Sequence, residues 1–320
     1  MSSAKREIAD DPEKMSSTEP AIARAPRKMS RTECEIASQP EMWERARALL
    51  GTASPALPEH GARVAVIGCG TSYYLAQSYA AAREAAGLGE TDAFPASELP
   101  GARTYDTVLA LSRSGTTTEV LRALESPIAG RTVAIIAVAD SPLAAAVDDA
   151  VVLDFADEES VVQTRFATSV LALLRAHLGE PLDQAISDAR TALSSDEPVQ
   201  LARRHEHFVT LGTGWTVGLA SEAALKLREA AGAWAEAYPA MEYRHGPISA
   251  AGPRTLVSFI GGSPDGLAGE IRETGADVIA PELDPMATLV LLQRTAVALA
   301  LERDLDPDRP RHLARSVVLS

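Results

Sequence analysis

From residue 62 onward, short β-branched apolar runs alternate with longer alanine-rich stretches of helical period. The run ARVAVIG (62–68) predicts a buried strand, and SYYLAQSYAAAREA (72–85) a helix with an apolar stripe. The alternation continues through DTVLALS (106–112), a helix over about Thr117–Leu124, and strands at RTVAIIAV (131–138) and AVVLDF (150–155), with a short helix near Ala144. A helical region follows from about Val161 to Arg204, broken at Pro181 and Pro198. Then the series restarts. HFVTLGTGW (207–215) repeats the form of RVAVIGCGT (63–71), an apolar strand whose Gly-x-Gly turn opens a helix. TLVSFIGGS (255–263) takes the place of TVLALSRSG (107–115), and ADVIAPE (276–282) supplies a further strand. The interval from Gly70 to Ser112 is 42 residues and that from Gly214 to Gly262 is 48, as an internal duplication would give. The expected fold class is therefore α/β, with two tandem units, each a mainly parallel sheet flanked by helices.

Five segments follow from this pattern: an arm at 1–28, an N-terminal helical segment at 29–60, a first unit at 61–195, a second at 196–302 and a tail at 303–320. The arm is charged, lacks apolar periodicity and has no secretory h-region, so it is expected to be disordered. Ordered-looking sequence begins just after Met29, so a start assigned too far upstream would account for the arm. Pro285–Arg303 is periodic and closes the second unit as a helix, and the tail beyond it is broken by prolines.

Composition narrows the function. Across 320 residues, 44 acidic against 30 basic side chains give a net charge of −14, which argues against nucleic acid as a partner. An anionic small molecule remains compatible, because a few backbone N–H groups hold a phosphate inside an acidic protein. No run reaches the ~18 apolar residues of a membrane span. Cys34 and Cys69 make no disulfide framework and fit a reducing, cytoplasmic setting. No metal or cofactor is expected.

Two stretches carry candidate chemistry. In LSRSGTTTEV (111–120), Ser112, Ser114, Thr116 and Thr117 crowd the turn between a strand and a helix, around Gly115. Helix-capping needs one such hydroxyl, and the surplus reads as a neutral cradle for phosphate. The GCGTS turn (68–72) falls one strand earlier and belongs at the same carboxyl edge of a doubly wound sheet. It is no dinucleotide fingerprint, because Tyr73 stands where the third glycine would be. The second stretch, 221–247, places Glu222, Lys226 and Glu229 on one helix face and ends in Arg244-His245-Gly246-Pro247. On spacing alone the three charges read as an ordinary surface ladder. A histidine and a glutamate together can supply acid–base catalysis near neutral pH.

Taken together, GCGTS, SRSGTTTEV, EAALKLREA, EAY, EYRHGP and PRHLARSVVLS resemble the SIS (sugar isomerase) domain family over about residues 33–320. The likeness is greatest to the isomerase half of glucosamine-6-phosphate synthase and to amino-sugar-phosphate deaminases. The resemblance implies that Ser112, Ser114 and Thr117 grip a sugar 6-phosphate, with Arg113 and Gly115 offering backbone. It turns Gly70, Thr71 and Ser72 toward the sugar and sets Val161 and Gln163 beside it. Glu229 would move the proton between C1 and C2, with Lys226 nearby, and His245 would open the pyranose ring from the neighbouring subunit of a homodimer with shared sites. The tail carrying Arg315 would close the site.

Departures from the family shape the reading. Position 2 is serine, where the synthase's glutaminase domain has a cysteine nucleophile, so no glutamine amidotransfer is expected. Arg315 and Arg165 stand where the family carries lysines, which keeps anion gripping and loses imine chemistry. Three functions follow: isomerisation or deamination of an amino-sugar 6-phosphate; β-elimination of the C3 hydroxyl from the N-acetylated sugar, a route related to that of the family's N-acetylmuramate-6-phosphate etherase; and non-catalytic sugar-phosphate sensing. The first is favoured. The sensor reading lacks a helix-turn-helix pattern in the arm.

Overall fold

The computed structural model describes residues 28–126 and 128–319, so the arm, apart from Lys28, lies outside the described residues. The chain runs α1 (Arg31–Ala37), α2 (Gln39–Ala53), β1 (Val64–Gly68), α3 (Thr71–Ala85), β2 (Thr91–Pro95), β3 (Tyr105–Ser112), α4 (Thr118–Leu124), β4 (Ala129–Ile136), α5 (Pro142–Ala146), β5 (Asp149–Val152) and α6 (Arg165–His177). Then come α7 (Asp183–Ser194), α8 (Glu197–Ala202), β6 (His207–Gly212), α9 (Thr216–Ala231), β7 (Trp234–Pro239), β8 (Thr255–Ile260), α10 (Leu267–Glu273), β9 (Asp277–Ile279) and α11 (Pro285–Glu302). All strand pairs are parallel, in sheets of order β2-β1-β3-β4-β5 and β7-β6-β8-β9. This is the two-unit α/β architecture that the alternation predicts.

Two strands escape the sequence pattern. β2 (TDAFP) and β7 (WAEAYP) are edge strands, half-exposed and polar in part, so neither has the continuous apolar run of β1 or β6. Pro198 does not break a helix; it sits in the first turn of α8, where its missing N–H costs nothing. The repeat extends to the turns that open α3 and α9. A Cβ on Gly68 would lie 2.7 Å from the backbone of Ser72, and one on Gly212 would lie 2.3 Å from that of Thr216.

The two units share one core. Buried residues of β1, β3, β4 and α6 are continuous with Leu219, Ala220 and Ala223 of α9 and the apolar length of α11. Among the described residues, α11 is the one helix long and apolar enough to cross a membrane; here it is mostly buried, packed on α9 and α7. The units come close together where α9 crosses α3. Gly218 lies so near α3 that a Cβ would fall 2.3 Å from the Tyr74 carbonyl oxygen and 2.4 Å from Ser78 Oγ. Backbone atoms cannot yield as a flexible side chain does, so Gly218→Ala should push the helices apart and cost ~1–3 kcal/mol. A lowered urea midpoint with an unchanged m-value is the expected reading; an unchanged midpoint would show that the crossing tolerates the methyl group.

Candidate functional site

Topology sets the place. The chain leaves β1 toward β2 on one side and later enters β3 on the other, so the loops at the carboxyl ends of β1 and β3 flank a crevice. That crevice is a cavity of about 200 Å³. Its lining includes Gly70, Thr71 and Ser72 from the first loop, Ser112, Arg113, Ser114 and Thr117 from the second, Val161, Gln163, Glu229 and Arg315. Eleven distant positions singled out from sequence thus converge on one space. Gly115, Lys226 and His245 are not in the lining.

Each loop is fixed from behind. Gly115 has φ 63°, and a Cβ there would lie 2.2 Å from Ser141 Oγ, so only glycine fits the turn. Ser112 Oγ accepts the Gly115 N–H at 3.2 Å, and Ser114 Oγ accepts from the Thr116 N–H at 3.2 Å and hydroxyl at 3.0 Å. Thr117 precedes α4 without making a side-chain cap, so its hydroxyl is not spent on the helix. The Arg113 guanidinium turns inward. It donates to the carbonyls of Ser160 (3.0 Å), Val161 (3.3 Å) and Arg315 (3.2 Å) and pairs with buried Glu158 at 3.5 Å.

Glu158 organises the third wall. Its Oε1 accepts the N–H groups of Thr164 (2.7 Å) and Arg165 (2.8 Å) and the Thr164 hydroxyl (2.8 Å), capping α6. Glu35 of α1 holds the same loop through the N–H groups of Glu159 (2.7 Å) and Ser160 (3.2 Å); burial, with Glu158 nearby, raises its proton affinity. Gln163 is left with a buried Oε1 that has no partner. Residues 313–317 line the cavity on a further side. Thr116 and Ser316 share a hydroxyl bond of 2.8 Å, the Thr118 N–H donates to Val317 O at 3.1 Å, and Arg315 bonds Asp157 and the Glu158 carbonyl. The charge of Arg315, for which sequence suggested a gripping role, is thus directed at the 157–158 wall.

The surface-ladder reading of Glu222, Lys226 and Glu229 is overturned. The crossing at Gly218 turns this face of α9 against the start of α3, leaving the Glu222 and Lys226 side chains each 1% exposed. Lys226 Nζ donates to Thr71 Oγ1 at 3.0 Å and to Glu229, and stands 3.4 Å from Glu222 Oε1. Burial pushes the Glu222 carboxyl up to about 8, against the pull of Lys226. Burial works against the Lys226 charge, yet the two carboxylates raise its pKa. Glu229 alone of the three reaches the cavity. Sequence reasoning missed Glu222 and Glu35 as parts of this framework. A signal was present: apart from Ser221 and Arg228, the rest of α9 is mostly alanine and leucine, as suits a helix that is largely interior.

His245 ends a turn at Met241–His245 beyond β7 and is exposed, outside this chain's cavity. Among the described residues, no three of His, Cys, Asp and Glu come together to hold a metal ion.

The SIS domain model matches residues 59–178, which span the loops after β1 and β3 and the Glu158 wall. The chain carries an SIS domain. It is 30% identical over 317 residues to a glutamine–fructose-6-phosphate aminotransferase of Aeropyrum pernix, a match that covers 80% of this chain and 51% of that protein. The chain spans about half the length of the curated relatives it matches. Glucosamine-6-phosphate deaminase from Thermotoga maritima superposes with TM-score 0.77 at 28% identity, covering 91% of this chain and all of the other. The C-terminal domain of the Francisella tularensis glucosamine-fructose-6-phosphate aminotransferase shares the fold, with TM-score 0.75 at 22% identity, covering 88% of this chain and 99% of its own.

Because Arg315 ties residues 313–317 to the 157–158 wall, Arg315→Gln should loosen that segment. Charge-assisted hydrogen bonds are worth ~1.5–3 kcal/mol each, so amide exchange there should quicken roughly tenfold or more. Unchanged protection by mass-detected hydrogen exchange would mean that the segment is held by its other contacts.

Proposed function

We propose that this chain is an amino-sugar 6-phosphate enzyme that isomerises and deaminates its substrate, with glucosamine 6-phosphate the best-matched sugar. One observation carries the reading: a hydroxyl-rich phosphate-type loop and the Glu229 carboxylate line the same cavity. The deaminase that superposes over nine-tenths of the chain supports it.

In this reading Ser112, Ser114 and Thr117 hold the phosphate, with Arg113 and Gly115 offering backbone, while Gly70, Thr71, Ser72, Val161 and Gln163 hold the sugar. The ring opens to the C1 aldehyde. Glu229 removes the C2 proton and returns it to C1 while an amine proton passes to the C1 oxygen, so that the C1 carbonyl becomes a hydroxyl and the C2 amine an imine. Water hydrolyses that imine, releasing ammonia and leaving the 2-ketose phosphate. No lysine lines the cavity, so the scheme uses no imine to the protein. The exposed position of His245 suits a homodimer in which each histidine serves the other chain's cavity, and residues 303–320 serve as the closing tail.

A second reading has its own support. Val161 and Leu313 give the cavity an apolar flank suited to an acetamido methyl group. On N-acetylglucosamine 6-phosphate, Glu229 would take the C2 proton, the C3–O bond would break, and that proton would leave with the oxygen as water.

Mass spectrometry of each sugar incubated with the protein separates these readings. Ammonia loss supports the first and water loss the second; no change in either sugar overturns both in favour of a binding-only role. Glu229→Gln should lower kcat by ~10² or more with little change in sugar-phosphate affinity, whereas Ser114→Ala should mainly raise KM. Full activity in Glu229→Gln would remove it from the mechanism. Co-folding Glu229→Gln with His245→Ala should restore part of the activity, because mixed dimers contain one intact site; inactive mixed dimers would refute the sharing.

A further inference from the structure

Behind Glu229 lies a carboxyl group to which the scheme above gives no task. Glu222 has 0% exposure, and its Oε2 has no hydrogen-bond partner. Its Oε1 has two neighbours, Thr71 Oγ1 at 3.3 Å and Lys226 Nζ at 3.4 Å. Both contacts are long for an ionised carboxylate, whose bonds to an ammonium group usually close to ~2.7–2.9 Å. Lys226 is drawn instead to Thr71 and Glu229. This geometry is that of a neutral carboxyl beside a Lys226–Glu229 ion pair. A second buried negative charge would leave one ammonium group divided between two carboxylates.

The surroundings offer Glu222 no other charge. Its own helix supplies Lys226 and Glu229, while Arg228 bonds the Ala235 carbonyl. From α3 it meets the Thr71 hydroxyl; Arg83 and Glu84 are occupied at the far end of that helix, around Gly89 and Thr91. The buried face of α11 carries no ionisable group, and Arg294 and Glu302 pair outward with Asp196 and Arg203. On β6 and β7, His207 and Glu236 bond each other at 3.0 Å, with Tyr238 beside Glu236, and β8 has no charge. Glu158 acts on Lys226 from the third wall.

We propose that Glu222 is a proton-holding positioning residue: protonated, it leaves Lys226 committed to Glu229, and ionised, it draws the ammonium inward and strengthens Glu229 as a base. The inference rests on the reading of Glu229 as the proton-transfer group. It needs no contact between Glu222 and substrate; a proton leaves the buried carboxyl for solvent, and Lys226 moves between partners already within 3.4 Å. With the Glu222 carboxyl pushed by burial to about 8, the change falls just above neutrality.

The test compares the wild type with Glu222→Gln and Glu222→Asp, and it has two readouts. In the wild type, kcat should rise about threefold or more between about pH 7 and 9 as Glu222 ionises. Glu222→Gln, which fixes the neutral form, should lose that rise, and Glu222→Asp, which keeps an ionisable group, should retain a rise. The second readout is independent of turnover. The folded chain holds the Glu222 proton that an unfolded chain releases near 4.5, so wild-type stability should fall as pH rises from 4.5 toward about 8. This fall should be smaller in Glu222→Gln. Superimposable kcat profiles, or an unaltered dependence of the melting temperature on pH, would overturn the role of Glu222. Absence of turnover by the wild type on either sugar phosphate would overturn the proposed function instead, and the melting comparison would then decide on Glu222 by itself.

Discussion

The contact on which the site depends is the crossing of α9 over α3 at Gly218. A helix that presses its backbone to within a methyl group's width of another has its rotation and height fixed by hard-sphere repulsion. Everything C-terminal on α9 is then placed at 1.5 Å per residue along a known axis. Glu222 and Lys226 fall beside Thr71, and Glu229, one turn on, falls at the cavity. The second unit thereby supplies the Glu229 carboxylate to a pocket whose hydroxyl-rich loop belongs to the first. A duplicated pair of sheets becomes asymmetric through this contact. The carboxyl edge of the second sheet carries Gly261-Gly262-Ser263, with far fewer hydroxyls than Ser112–Thr117.

Around that axis, the walls are held by buried carboxylates. Glu158 caps α6 while pairing with Arg113, and Glu35 captures the N–H groups of the loop between them. Each group is costly to bury alone and each has its partners, as the economics of a low dielectric require. The cavity's hydroxyls can therefore be arranged by the backbone, with the charges working behind the surface.

Much of this was legible in the sequence, for identifiable reasons. Strands β1, β3, β4, β6 and β8 are nearly or wholly buried at their carboxyl halves, and continuous Val/Ile/Leu runs reveal them. The edge strands β2 and β7 were not legible, because one flank of each meets solvent and the run that marks a strand is diluted. The loops after β1 and β3 stood out because hydroxyls and glycines exceed what capping needs. The Glu222–Lys226–Glu229 face was misread as exposed because i,i+3 and i,i+4 spacing is the same on a wet face and a buried one. Only the neighbouring helix tells them apart. The partners of Arg113 and Arg315 were equally hidden, since, the carboxylates of Glu158 and Asp157 aside, they are carbonyl oxygens that any residue could offer.

The C-terminal tail and the first helix are tied together. Asp308 accepts the N–H groups of Arg31 and Thr32 at 3.0 and 2.9 Å, across a separation of 276 residues or more, and its own carbonyl receives the Val161 N–H at 3.0 Å. A contact of such sequence separation closes a loop of nearly the whole described chain, and its entropy is lost before any reward arrives. The sheets and their crossovers assemble from neighbours and can form early. The clamp joining α1, the Glu158 wall and the C-terminal tail belongs to the end of the folding reaction. An intermediate with both sheets complete would thus have its phosphate-type loop in place beneath an open roof, and sealing of the cavity would mark arrival at the native state.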